Sequence, residues 1–454
     1  MDATRPAERS ADEPTDLYPI LPEPIIPEPI LDVQDERLEA DHSKVVLRPF
    51  NLGWQQAAIP SERARDLVRD IRRLTEDEVE RELAHVLRDF KSRHWQIEAV
   101  FEERFAELGH AFNIEPADIS RARRLLIAAF FSHEYTYAAA ALMNPSIVPH
   151  PDQSGATGGA IRIVMSVRAV GEGHISSIGF REGFLEKDGL LTLWPDGDFA
   201  IAASPDATDG PDIIATRNAE ASLSNTVLFP MTPQQQGGLE DLRLVQFVHE
   251  DGTPEWIGTY TAYSGDSIRS ELLRTRDFAS FRFTPIRGDA GRDKGMALFP
   301  RKVGGRYLMV GRQDGKNLYL LASDRLTRWQ DDGVKLLTPE YPWEFVQIGN
   351  CGSPIETEEG WLLLTHGVGA MRRYSLGCAL LDLEDPSRVI ARSARPILTA
   401  EQEDRNGYVP NVVYSCGGML SRGGVLFVPY GISDSAIGFG SVPLERLLDS
   451  LERV

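Results

Sequence analysis

Two different hydrophobic patterns divide this chain of 454 residues. From residue 61 to about residue 140, apolar residues recur at the three- and four-residue spacing of amphipathic helices. Thr75 followed by Glu78 predicts a capping box at the start of one helix. The apolar stripe of that helix consists of Val79, Leu83, Val86, Leu87 and Phe90. A further helix is predicted from Pro116 to about Tyr137.

After Met143 the helical period gives way to short apolar runs separated by Gly, Asp, Asn and Pro, which is typical of strands and turns. Residues 297–311 read as a hairpin in which Gly304 and Gly305 supply the turn. The segment 275–281 resembles 323–329, about 48 residues later. A period near 50 favours a β-propeller of five or six blades, and a pair of β-sandwiches is the alternative.

The beginning of the chain has a composition of its own. Residues 1–42 are rich in Pro, Asp and Glu, and they are predicted to be extended or disordered, because proline removes backbone hydrogen bonds. A short strand is expected from Lys44 to Phe50. The predicted organisation is therefore a tail over 1–42, a strand plus helical extension over 43–140, and a mostly-β domain over 141–454.

Charge and cysteine content exclude several classes of function. The net charge of −20 argues against a nucleic-acid surface, and no apolar run approaches the length of a membrane span. The first residues contain no apolar segment of the signal-peptide type. The three cysteines have no metal-binding spacing, so we expect reduced, buried thiols and a cytoplasmic location.

The sequence Gly-Gly-Leu-Glu-Asp-Leu-Arg at residues 237–243 carries the most chemistry. Because neighbours in a strand point to opposite faces, one of the acids Glu240 and Asp241 can face a pocket while Arg243 ties down the other. Such a pair suits a site in which one acid keeps its proton and the other stays ionised. A turn with a solvated acidic pair is the alternative interpretation.

Other candidate residues recur at the spacing of blades, as expected if each inner strand contributes to one axial channel. They are Asn144, Arg168, Glu172, His174, Lys294, Arg312, Asp314, His366, Arg372, Arg373, Tyr374 and Asp434. Each has a plain structural alternative, such as a turn residue at Asn144 or a solvated charge at Lys294.

From about Asn144 onward the chain resembles glycoside hydrolase family 130, the mannoside phosphorylases and related β-mannosidases. The motif at 237–243 is similar to the family's Gly-x-Glu-Asp-Pro-Arg, with Leu242 in place of proline. Further matching segments are 260–263, 297–300, 360–368, 380–389 and 430–438. The resemblance implies a five-bladed β-propeller. It also implies that Asp241 is the catalytic acid, whose proton reaches the glycosidic oxygen through the mannosyl 3-hydroxyl.

The resemblance also assigns binding roles. The phosphate-binding positions correspond to Lys294, Arg312, His366 and Tyr374, and this basic set favours phosphorolysis over hydrolysis. Substrate contacts are expected from Asn144, Arg168, Arg243 and Asp434. Tyr263, Trp343 and Tyr408 could stack on sugar rings.

We therefore predict an inverting phosphorylase that cleaves β-mannosides, including β-1,2-linked chains, with inorganic phosphate to give α-mannose 1-phosphate. No metal or organic cofactor is expected. The expected partners are manno-oligosaccharide and phosphate, with self-association through the helical extension. One alternative is a β-mannosidase, which would need a carboxylate base such as Glu172 or Glu344. The other is a carbohydrate-binding propeller without catalysis.

Overall fold

The computed structural model describes residues 29–53, 59–206 and 210–454. Most of the predicted tail, residues 1–28, therefore lies outside the described residues. In the described ranges the α-helices are Glu62–Arg73, Glu76–Phe90, Ile97–Phe112, Arg121–Phe130 and Leu444–Asp449. The rest of the regular structure is almost entirely strand, so the prediction of a mostly-β chain is confirmed.

The first four helices form a compact block with its own apolar core, which includes Val68, Val79, Phe101 and Leu126. The predicted capping box is present: the Thr75 hydroxyl accepts from the Glu78 N–H, and the Glu78 carboxylate accepts from the Thr75 N–H.

The predicted helix from Pro116 to Tyr137 is wrong at both ends. A short 3-10 turn at Pro116–Asp118 precedes an α-helix that Ser120 caps and that ends at Phe130. The following residues form the strand Ser132–Thr136, which pairs with the predicted strand, observed at Val45–Pro49. Pairing with a distant strand overrides local helical preference here. The helical block is therefore inserted into a two-stranded hairpin.

The strands after residue 140 lie mainly in four sheets in the described chain, the largest of which has ten strands. In that sheet one parallel contact, between Gly238 and Ser176, joins two antiparallel halves, so five antiparallel groups can be distinguished. The first group contains Ala141–Pro149, Ile161–Val170, Ser176–Leu185 and Leu191–Leu193. The second contains Gly238–Val248, Pro254–Tyr263, Ile268–Thr275 and Ser280–Pro285, extended at its edge by Ile213–Thr216 and Ser204–Asp206. The third contains Ala297–Leu298, Tyr307–Gly311, Leu318–Ser323 and Val334–Leu337.

The fourth and fifth groups also contain the last and the first described strands of the chain, respectively. The fourth contains Gln347–Asn350, Ile355–Glu356, Trp361–Val368, Tyr374–Leu381, Val389–Arg392, Leu398–Thr399 and Glu452–Arg453. The fifth contains Val413–Tyr414, Met419–Leu420, Val425–Ile432, Ala436–Pro443 and Asp32–Val33. Two further short strands, Ile201–Ala202 and Thr226–Val227, pair in parallel.

Buried apolar side chains fill the space between neighbouring groups. Alternation along the strand Ile161–Val170 sends Val164 toward the second group and Met165 toward the fifth. The remaining contacts follow the same rule. Ile257 of the second group shares a cluster with Met309 of the third, Val310 of the third with Leu363 of the fourth, and Leu364 of the fourth with Val428 of the fifth.

The predicted glycine turn at the 297–311 hairpin is present, with φ of +57° at Gly304 and +78° at Gly305. All three cysteines are buried free thiols, as predicted. Within the described ranges, none of the helices combines the length and the apolar character that a membrane crossing requires.

Candidate functional site

Two β-bulges bring Asn144 and Asp241 together. The register shifts between Met143 and Ser146 in one strand and between Glu240 and Arg243 in another. At these bulges Asn144 has a φ of +49° and Asp241 a φ of +55°. Because left-handed backbone is uncommon in residues other than glycine and is concentrated at functional sites, both positions stand out. The Asn144 amide Nδ2 donates to Asp241 Oδ1 at 2.7 Å.

Arg168 connects both acids of the central motif. Its guanidinium donates to Glu240 Oε1 at 2.6 Å and to Asp241 Oδ1 at 3.1 Å, and its Nε donates to Ser176 Oγ at 2.9 Å. The two carboxylates therefore lie near one cation instead of on opposite faces, because the bulge interrupts the alternation of the strand.

The prediction that Arg243 ties down one of the acids is wrong. This buried side chain donates to the Asp241 carbonyl at 2.9 Å, to the Cys351 carbonyl at 2.9 Å and to the Tyr414 hydroxyl at 2.7 Å. Arg243 thus joins the second, fourth and fifth strand groups and fixes the backbone of Asp241. Its charge still acts on the Asp241 carboxylate.

The three carboxyl groups of the site differ in the direction in which their pKa values are shifted. Burial alone would raise the pKa of Asp241, but Arg168, Arg243 and the Asn144 amide hold it well below its usual range. Burial raises the pKa of Glu240 in spite of Arg168. Burial, reinforced by the Asp241 charge, raises the pKa of Asp434 to about 6. Asp434 has a φ of +50°, so it is a third residue with left-handed backbone.

A second cluster lies deeper, around His366. This fully buried ring stacks on Tyr374 at a centroid distance of 5.8 Å and meets Tyr414 edge-on at 4.7 Å. Burial, followed by the charge of Arg312, moves the pKa of His366 well below its usual value. His366 is therefore a neutral imidazole at neutral pH. Its residue type alone had suggested a third cation beside Lys294 and Arg312.

Arg312 supplies positive charge to this deeper cluster, and Lys294 supplies it to the acids. Gly349 pairs with His366 across two strands, and a Cβ added there would lie 2.8 Å from Arg312 Cδ. The absence of a side chain at Gly349 thus allows Arg312 to approach the imidazole. The Lys294 charge lowers the pKa of both Glu240 and Asp241, so Lys294 lies near the acids.

Several candidates are located at the rim of the site or away from it. Arg372, the first of the two adjacent arginines at 372 and 373, acts electrostatically on the site. Its charge partly offsets the rise in the pKa of Asp434. The Trp343 ring packs beside Gly367 and Gly377, and its Nε1 donates to the Ala394 carbonyl.

Two further candidates hold loops. Tyr263 packs on Gly237, and its hydroxyl donates to the Gly265 carbonyl. Asp314 closes its own loop through the backbone N–H groups of Lys316 and Asn317.

Tyr414 is a site residue that the sequence analysis missed. It contacts His366 and accepts a hydrogen bond from Arg243, and it lies on the short strand Val413–Tyr414 of the fifth group. The short apolar run Val412–Val413 before Tyr414 is the pattern from which it could have been found, since His366 also comes at the end of an apolar strand.

Comparison with known proteins identifies the family. The sequence model of glycoside hydrolase family 130, described as β-1,4-mannooligosaccharide phosphorylase, matches residues 208–453. A 1,2-β-oligomannan phosphorylase of Thermoanaerobacter sp. (strain X514) is 36% identical over 229 residues, which cover 50% of this chain and 75% of that protein. A β-1,2-mannobiose phosphorylase of the same strain is 33% identical over 234 residues, covering 49% and 72%.

A solved structure shows the same fold. A protein assigned as a glycoside hydrolase from Bacteroides ovatus ATCC 8483 superposes with a TM-score of 0.51 at 19% identity, over 69% of this chain and 90% of that one. The family match covers more than half of the chain, and it includes the bulge that carries Glu240 and Asp241. The chain therefore belongs to glycoside hydrolase family 130, as its motifs predicted.

Proposed function

We propose that this protein is an inverting phosphorylase that uses inorganic phosphate to cleave β-1,2-linked manno-oligosaccharides, releasing α-mannose 1-phosphate. The predicted class, a β-mannoside phosphorylase, is confirmed by the family match and by relatives 33 and 36% identical. The β-1,2 preference is supported by those same two relatives, whose names specify that linkage, although the family description specifies β-1,4.

The observation that carries this proposal is the position of Asp241 beside two kinds of partner. Asn144 and Arg168 bind its carboxylate directly. The positive charges of Arg243 and Lys294 act on it without a hydrogen bond to the carboxylate. A phosphorolytic site needs one acid and a cationic cradle for a dianion, because phosphate is already a nucleophile.

The low pKa of Asp241 in the free protein is compatible with a role as acid. Hydrogen phosphate bound between Lys294 and Arg312 would add negative charge close to Asp241 and so raise its pKa. Asp241 then gives its proton to the mannosyl 3-hydroxyl, and the proton of that hydroxyl passes to the leaving oxygen. At the same time a phosphate oxygen attacks the anomeric carbon from the opposite face. The mannose 1-phosphate formed still carries the proton of hydrogen phosphate. Transfer of that proton to Asp241 restores the acid.

Hydrolysis would need a carboxylate base that activates water, and Glu344, one of the two predicted places, is not available for that role. Glu344 is fully buried, pairs with Arg392 and accepts from the N–H groups of Glu340 and Tyr341. Glu172 is exposed in the turn Glu172–His174. The arrangement thus favours phosphate as the nucleophile.

The binding roles follow the two clusters. We assign the phosphate to Lys294, Arg312, His366 and Tyr374, with neutral His366 acting as a hydrogen-bond donor or acceptor. We assign the mannosyl unit to Asn144, Arg168 and Asp434. Arg243 was predicted to bind substrate, but each of its three nitrogens already donates to a protein acceptor, so we assign it to positioning.

We also propose that the five strand groups close into a five-bladed propeller, with residues 141–454 as the catalytic domain. The five apolar clusters between successive groups support this ring, since one of them joins the first group to the fifth. Site residues then come from different groups and meet at the axis, as in other propellers.

The proposed reaction needs inorganic phosphate as its co-substrate and neither a metal ion nor an organic cofactor, because side chains supply the acid and the cations. The three free, buried thiols support a cytoplasmic location. The helical block remains our proposed site of self-association.

The test is incubation with β-1,2- and β-1,4-mannobiose, with and without inorganic phosphate, followed by anomer-resolved NMR. We expect α-mannose 1-phosphate only when phosphate is present, and faster turnover of the β-1,2 disaccharide. Free mannose formed at the same rate without phosphate would overturn phosphorolysis in favour of hydrolysis. A preference for the β-1,4 disaccharide would overturn the linkage assignment alone.

A further inference from the structure

His174 and Tyr408 form an exposed aromatic pair that the proposed chemistry does not use. Their ring centroids are 5.6 Å apart with an interplanar angle of 31°, and the Tyr408 hydroxyl lies 3.3 Å from His174 Nδ1. His174 follows the first strand group's Arg168, and Tyr408 precedes the fifth group, so the pair joins two groups that are distant in sequence.

The backbone holds Tyr408 directly beside Asp434. The Tyr408 N–H donates to Ser435 Oγ at 2.7 Å, and the Val409 N–H donates to the Ser433 carbonyl at 3.0 Å. These two bonds flank Asp434, which we assigned to the mannosyl unit. The Tyr408 ring is therefore fixed at the outer edge of that subsite.

His174 is held from the other side. Its φ is +61°, its N–H donates to the Gly171 carbonyl at 3.1 Å, and the Glu172 carbonyl of the same turn accepts from the Tyr135 hydroxyl at 2.8 Å. Arg168, six residues earlier, binds Asp241. His174 is thus fixed next to the strand that delivers the partner of the acid.

The His174–Tyr408 pair lies closer to solvent than the His366 cluster. Tyr408 keeps 58% of its surface accessible, whereas His366 in the deeper cluster is fully buried. A bound chain must place its mannosyl unit inward, against Asp241, and its leaving sugar outward toward solvent. Pyranose rings present apolar C–H faces that pack on aromatic rings, while the Tyr hydroxyl and the imidazole can bind sugar hydroxyls.

The geometry points to the His174–Tyr408 pair as the platform that binds the leaving sugar, the acceptor in the reverse reaction, as a pyranose stacked on Tyr408. This inference rests on the proposed function. It identifies His174 and Tyr408 as specificity-determining residues for the sugar on the leaving side, separate from the phosphate and mannosyl subsites.

The experiment uses the synthetic direction, in which α-mannose 1-phosphate is the donor and mannose or β-1,2-mannobiose the acceptor. We expect Tyr408→Ala to raise the acceptor KM by about tenfold, and His174→Ala by about threefold, with the donor KM unchanged. Tyr408→Phe keeps the stacking face and should fall between Tyr408→Ala and the wild type. Phe90→Ala is the matched control, because it removes a 38% exposed ring in the helical block.

An unchanged acceptor KM in both alanine variants would overturn the platform, and so would a parallel rise in donor KM. If the wild type made no product, the proposed function would fail instead. Calorimetric titration of β-1,2-mannobiose into the wild type and Tyr408→Ala would then still decide the platform, since it measures binding without turnover.

Discussion

Asp434 is a carboxyl group whose charge is costly to keep in the folded protein. Its pKa of about 6 lies above the value of about 3.9 for an unfolded chain, so between these pH values the unfolded state loses its proton first. Protonated Asp434 therefore contributes to the free energy of unfolding in full below about pH 4, and this contribution is lost as the pH rises through 6.

The raised pKa of Asp434 predicts how the stability of the Asp434→Asn variant depends on pH. The variant cannot ionise, so we expect it to be more stable than the wild type at pH 7 by about 2 to 3 kcal/mol, and equally stable at pH 4. Urea unfolding at both pH values measures the difference. The same variant should lose phosphorolysis, because Asp434 is assigned to the mannosyl unit. A stability difference that did not depend on pH would contradict the argument.

The proposed role of Asp241 as the catalytic acid can be tested with substrates that differ in their leaving group. Asp241→Asn should lower kcat for mannobiose by about a thousandfold, because the leaving oxygen then departs without a proton. With 4-nitrophenyl β-mannoside the loss should be far smaller, since nitrophenolate is a good leaving group. Glu240→Gln, which changes the neighbouring acid, is the matched control and should show equal losses on both substrates. Equal losses for Asp241→Asn would instead indicate a role in binding.

At this scale the sequence predicted residue identity better than contacts. The acids at 240 and 241 and the partners Asn144 and Arg168 are brought together as the motifs implied. The contacts of Arg243 were wrong because strand alternation was assumed to continue through a bulge, which no residue pattern announced. The neutral state of His366 follows from burial, which the residue type alone does not reveal.

Among the elements, the bulged strand Gly238–Val248 depends on Arg243 for its links to the fourth and fifth groups. Arg243→Lys keeps the charge but loses most of the three hydrogen bonds of the guanidinium, so we expect a loss of stability of about 2 to 4 kcal/mol. Tyr414→Phe removes one of these bonds and should cost about 1 kcal/mol. Guanidinium unfolding compares them, and equal effects would contradict the bridging role.

Element boundaries were predictable where the determinant was local. The capping box at Thr75 and the glycine turn at residues 304–305 were read correctly, since a few adjacent residues decide each. The helix predicted through residue 137 failed because the partner of Ser132–Thr136 lies at residues 45–49, outside any local window. Long-range pairing is invisible to periodicity.

At the scale of the whole molecule, the helical block is an insertion with its own core. The Phe50 N–H donates to the Phe131 carbonyl at 2.8 Å, so the hairpin strands stay adjacent where the block leaves them. Replacing residues 51–130 by an Asn-Gly turn should therefore preserve the fold, and we expect kcat/KM to stay within about threefold of the wild type.

Light scattering on the same variant addresses assembly. If the block mediates self-association, the wild type should be larger than a single chain and the variant monomeric. An inactive variant that remains folded would contradict the separation of block and site, because no residue we assign to catalysis or binding lies between 51 and 130.

The strand Asp32–Val33 has a consequence for synthesis. It pairs with Ser441 and Gly440, so its partner is made about 400 residues later. At roughly 5 to 20 residues per second, the ribosome needs about 20 to 80 s to reach that partner. During this interval the early strand has no native partner, and the fifth group can add this edge strand only after residues 440 and 441 have been made.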